Sequence, residues 1–183
     1  MVKSFTAAII LLFVTCLPVY AQSSILLSQR TENGEIFVSA RLHGLPDTFI
    51  QEVQNGIKKE IEYNVELMRT WKSWLDEYVE GKTVIRTIKY DVIKKQYHLT
   101  SLEGRYIYEK TVKNLEDALD WLTKLTDIRL VRIDGLQQGR YYVRVRMESR
   151  RIKLPPLFKV LLFFVPEVEF SSSKSSPVFL LNK

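Results

Sequence analysis

The sequence predicts a mainly β protein, an antiparallel β-sandwich or barrel-like sheet with one or two packed helices. Three observations lead there. Apolar and polar residues alternate over most of the chain, which is the period of half-buried strands. Turn dipeptides such as Asn33-Gly34 and Glu103-Gly104 interrupt that alternation at short intervals. Helical spacing appears in two stretches, near Phe49 and near Leu119.

Residues 1–21 read as a separate object. Lys3 precedes a 13-residue apolar run from Phe5 to Leu17, and Val19-Tyr20-Ala21 follows with small residues where a signal peptidase reads. The run falls short of the roughly 20 residues that span a bilayer. A signal peptide cleaved near Ala21 is therefore expected, with residues 22–183 forming one mainly β domain in the periplasm or the medium. Cys16 raises a lipoprotein alternative, although Phe13-Val14-Thr15 lacks the usual Leu and small residue before such a cysteine. Cleavage after Ala21 leaves no cysteine, so disulfides, thiolate catalysis and Cys-held metals are excluded. It also leaves 26 basic and 21 acidic residues. A composition 46% hydrophobic and 26% charged is that of a folded globular chain.

Ile25 to Thr31 and Glu35 to Leu42 form the clearest hairpin, because Asn33-Gly34 tolerates the positive φ angles of a tight turn. Pro46 and Asp47 open a helix carrying Phe49, Ile50, Val53 and Ile57 on one face. Ile61, Tyr63, Val65 and Leu67 begin a strand expected to bend near Met68 and continue through Trp71 and Trp74 towards Val79. Glu80-Gly81-Lys82 reads as a turn. Val84 to Val92, Tyr97 to Leu102 and Arg105 to Val112 are further strands, separated by turns at Lys94-Lys95 and Glu103-Gly104. Asn114 is a suitable cap for a helix whose stripe is Leu115, Ala118, Leu119, Leu122 and Leu125, with Glu116 and Asp117 favouring its N-terminal dipole. Asp127 to Asp134 and Arg140 to Glu148 read as a second hairpin around Gly135 and Gly139, with Tyr141, Val143, Val145 and Met147 inward. Short strands are expected at Val168 to Ser171 and Pro177 to Leu181, around a polar loop at Ser171 to Ser176.

Taken in order, these segments resemble a bacterial family of exported proteins of unknown function. The landmarks run from Leu42-His43-Gly44-Leu45 through Glu60-Ile61-Glu62-Tyr63 to Ile88-Lys89-Tyr90-Asp91 and Tyr97-His98-Leu99-Thr100. Asn114-Leu115-Glu116-Asp117-Ala118-Leu119 follows, then Tyr141-Tyr142-Val143-Arg144-Val145-Arg146-Met147 and Leu154-Pro155-Pro156-Leu157. The resemblance spans about residues 30 to 172. At Glu167-Val168-Glu169-Phe170-Ser171 the chain has Phe170 where the family carries tryptophan. The resemblance implies export and this fold, brings no activity or catalytic residue, and places such proteins near sensor histidine kinases, a setting of envelope signalling.

Catalytic signatures are scarce. His43 and His98 stand apart with no HExxH or HxH spacing, and no GxSxG or Gly-rich phosphate loop occurs, so no cofactor is expected. Asp76, Glu77 and Glu80 sit beside Trp71, Trp74 and Tyr78, a composition found in glycan-cleaving sites as well as at solvated turns. Alternate residues project about 7 Å apart on one strand face, so Arg140, Arg144 and Arg146 form a line of positive charge that continues into Arg150, Arg151 and Lys153, with Tyr142 among them. Arg129 and Arg132 would widen that stripe from a neighbouring strand. Its partners would be an acidic protein, anionic lipid headgroups or envelope polysaccharide; no nucleic-acid motif is present. Leu154 to Val165 reads as a buried strand or as a loop dipping into a membrane or partner groove. The expected function is a non-catalytic binding module, with a glycan-directed hydrolase or a structural envelope protein as alternatives.

Overall fold

The computed structural model describes residues 23–150 and 168–182, with the backbone alone at Arg150. The expected signal peptide, Arg151, Lys153 and the Leu154–Val165 segment lie outside the described residues. Strands dominate as the alternation predicts, in two open antiparallel sheets rather than a closed barrel. β1 (Ser24–Glu32), β2 (Glu35–His43) and β7 (Lys124–Arg132) make the small sheet in the order β1-β2-β7. The large sheet follows the order β10-β8-β3-β4-β5-β6. Its members are β3 (Lys59–Thr70), β4 (Glu77–Asp91), β5 (Gln96–Glu103), β6 (Tyr106–Val112), β8 (Gly139–Arg150) and β10 (Phe179–Leu181). β9 (Val168–Ser175) lies on the same edge of β8 as β10, beyond it along the strand.

The β1–β2 hairpin forms around Asn33 and Gly34, both at positive φ, in the register the alternation requires. Ile36, Val38, Ala40 and Leu42 then face the same core as Ile61, Tyr63, Val65 and Leu67 of β3 and Tyr141, Val143, Val145 and Met147 of β8. Each fully buried aliphatic side chain there contributes about 1.5–3 kcal/mol.

Two helices pack against the sheets. α1 (Asp47–Gln54) buries Phe49 and Val53. Ile57, predicted on the same stripe, falls beyond the helix end and is exposed. α2 (Leu115–Thr123) buries Ala118 and Leu122, whereas Leu125 is buried from β7 rather than from the helix. Asn114 occupies the cap position without a side-chain bond to the backbone; its amide instead donates to Asp117 at 3.2 Å. The far end of α2 is held from the core. Arg86 of β4 donates to the carbonyls of Trp121 and Lys124 and stacks over the Trp121 ring, and Tyr63 donates to Leu122. Burial lowers the pKa of Arg86 and raises that of Tyr63.

Four expectations need correction. β3 does bulge at Leu67/Met68 but stops at Thr70, so Trp71 and Trp74 lie on a loop. Glu80-Gly81-Lys82 is not a turn; β4 runs straight through it. A Cβ on Gly81 would stand 2.8 Å from the Tyr78 hydroxyl and 3.1 Å from the Val65 carbonyl, so this glycine serves close packing inside a strand. β7 and β8 do not form a hairpin. A 3-10 turn at Ile133–Gly135, tied by the Ile133 amide to the Gly34 carbonyl, carries the chain from the small sheet to the large one. Ser171 to Ser175, expected as loop, continues β9 in pairing with β8.

Candidate functional site

The β3–β4 loop and the first residues of β4 present exposed aromatic side chains at one end of the large sheet. Trp74 is 82% and Leu75 81% exposed, and Trp71 and Tyr78 are about half exposed beside them. Large apolar side chains usually leave water when a partner covers them, and four within one eight-residue stretch are more informative than scattered single ones.

Local contacts hold this loop in place. The Arg69 guanidinium stacks 4.2 Å from the centre of the Trp71 ring, while its fork donates to the Gln137 side chain at 2.7 Å and the Gln138 carbonyl at 3.0 Å. Trp71 Nε1 donates to Glu77 Oε2 at 3.3 Å. Tyr142 of β8 donates its hydroxyl to Asp76 Oδ2 at 2.9 Å. Partial burial, then this bond to a carboxylate, raises the Tyr142 pKa. The two clusters that the sequence offers as rivals, the acids beside the tryptophans and the β8 stripe, therefore meet at Tyr142 and Asp76.

The three acids are each bonded locally. Asp76 is bonded to Tyr142, Glu77 to Trp71, and Glu80 accepts from the Gly81 amide at 3.2 Å. The shallow depression at the tip is lined by Lys72, Ser73, Trp74 and Leu75, and by none of these acids.

The arginine stripe takes the solvent-facing side of β8. Arg140 is exposed at the loop end. Arg144 is half-buried and paired with Glu66 of β3 at 2.7 Å, with Met68 sulfur 3.7 Å away. Arg146 sits opposite Asn64, whose amide donates to Glu62 and whose carbonyl accepts from Thr83. Glutamates of β3 thus interleave with the arginines, and the face is charge-mixed rather than a line of bare cations. Arg129 and Arg132 do not extend it. They belong to β7 in the other sheet and bond to Glu35 at 3.3 Å and Asp134 at 2.8 Å.

His43 ends β2 and His98 lies on β5, 3.7 Å from Asp91. Among the described residues no group of three His, Cys, Asp or Glu is placed to hold a metal, and no helix is long and apolar enough to cross a membrane.

Residues 24–176, from β1 through β9, match the domain of unknown function DUF4390. The chain belongs to that family. Comparisons with curated proteins and with solved structures find no match. The match confirms the resemblance carried by the sequence landmarks, and β10 is the described strand that lies beyond the DUF4390 segment.

Sequence reasoning missed Arg69 and Leu75. The signal was present, because Lys72-Ser73 between two tryptophans breaks the alternation just after Met68, where a strand would have kept period two.

Proposed function

We propose that this DUF4390 protein is an exported, non-catalytic binding module of the cell envelope that engages a protein partner through the Trp71–Tyr78 loop. The observation that carries the reading is the exposure of Trp74 and Leu75 on a loop whose base is fixed by Arg69 and Tyr142. Tryptophan, tyrosine and arginine are the residues that dominate protein interfaces, and a pre-positioned loop loses little entropy on docking. The mixed charge of Arg69, Lys72, Asp76, Glu77 and nearby Arg140 suits a protein surface better than a uniformly anionic one. Against a glycan-hydrolase role stands the engagement of Asp76 and Glu77 with neighbouring side chains. The setting of envelope signalling rests on the family resemblance alone.

The test places a photo-crosslinking residue at position 74 in the exported protein in its own cells. A discrete adduct, lost when Leu75→Ser is added and missing when the crosslinker sits at Thr100 on the sheet face, is the expected result. Equal labelling at both positions, or no adduct at 74, overturns the proposal.

A further inference from the structure

At the opposite end of the sheet two tight turns stand side by side. One joins α1 to β3 through Asn55, Gly56, Ile57 and Lys58; the other joins β4 to β5 through Val92, Ile93, Lys94 and Lys95. They are packed together at Gly56, which adopts φ +80°. A Cβ there would touch the Tyr90 carbonyl at 3.5 Å and Val92 Cγ2 at 3.6 Å. Asp91 shapes the second turn by accepting from the amides of Ile93 at 3.0 Å and Lys94 at 2.9 Å.

The result is an apolar tip with a cationic collar. Ile93 is 92% exposed, Val92 63% and Ile57 49%, and Lys58, Lys94 and Lys95 surround them, all exposed. Three carboxylates of this end are engaged. Asp91 is held by its turn, and Glu52 and Glu169 are held by buried Lys59. Lys58, Lys94 and Lys95 outnumber the carboxylates of the described residues there that Lys59 does not hold, Asp91 and half-buried Glu60.

We propose that this end docks on the surface of an anionic phospholipid bilayer, with Ile93 and its neighbours entering the headgroup boundary and the lysines meeting lipid phosphates. Aliphatic side chains ringed by lysine are the chemistry an anionic bilayer interface selects, since lysine stems lie along apolar surface while their ammonium heads reach the phosphates. The site proposed consists of the two described turns alone. This inference stands apart from the reading of the aromatic loop, which lies at the far end of the sheet.

Co-sedimentation of the purified exported protein with vesicles of phosphatidylcholine, or phosphatidylcholine with 30% phosphatidylglycerol, tests it. Binding is expected to the anionic vesicles and to weaken with salt. Lys94→Glu/Lys95→Glu should weaken it by about tenfold or more. Val92→Ser/Ile93→Ser should also weaken it, while Trp74→Ala leaves it unchanged. All variants lie in exposed turns or loops, and unaltered circular dichroism confirms that each is folded. Equal binding to neutral and anionic vesicles overturns the proposal, as does no binding to either. So does undiminished binding of the two turn variants, which would assign the affinity to another part of the chain.

Discussion

The two ends of the large sheet are both built by β4, yet they expose opposite chemistries. At its start the β3–β4 loop carries two tryptophans, leucine and tyrosine among balanced charges, each acid committed to a neighbour. At its finish the β4–β5 turn carries valine and isoleucine beside two exposed lysines. Roughly 50 Å of strand separates them. Exposure alone would mark both as sticky; the accompanying charge distinguishes a surface suited to a protein from one suited to a lipid interface.

The difference is open to attack at the foundations of each end, beginning with the largest effect. Lys59 is 3% exposed and ties Glu52 of α1 and Glu169 of β9 to β3, with Glu169 at 2.8 Å and the Phe49 ring 5.1 Å away. Lys59→Ala leaves a buried carboxylate without its cation and should cost about 3–5 kcal/mol in urea unfolding. A loss under about 1 kcal/mol would mean that packing, and not this ion cluster, secures the lysine-rich end.

Tyr142→Phe removes the hydroxyl that fixes Asp76. A decrease of about 0.5–1.5 kcal/mol is expected, together with faster amide exchange confined to residues 71–77. Exchange rising equally in the β4–β5 turn would show that the ends are not independent.

Acid offers the smallest effect. Backbone bonds from Lys94 and then Ile93 hold the Asp91 pKa below the ordinary aspartate value, opposed by its partial burial. The stabilisation is therefore complete above that ordinary value and is lost as pH falls through the lower, folded one. Amide protection at Ile93 and Lys94 should drop over that window while the Trp71–Tyr78 loop is unaffected; loss at both ends together would indicate global acid unfolding instead.

Local chemistry was legible in the sequence where one short segment decides the outcome. Asn33-Gly34 set the first hairpin, and the Ala118/Leu122 spacing set the second helix. The core face of β8 was likewise written in Tyr141, Val143, Val145 and Met147. What escaped was decided by distant partners. Nothing within 127–148 tells that β7 pairs with β2, because the alternation of a strand is the same whichever neighbour it joins. Gly81 looked like a turn because the approaching Tyr78 ring and Val65 carbonyl are tertiary facts. The aromatic loop was hidden for the same reason, as tryptophan is more often a core residue than an exposed one.

The length of β4 has a mechanical corollary. β3 pairs with its first part, Glu77 to Ile88, β5 with its last part, Val84 to Asp91, and both terminal turns hang from it. A pull between those turns runs along the β4 backbone, which is already extended, so the two exposed ends are held at a nearly fixed spacing.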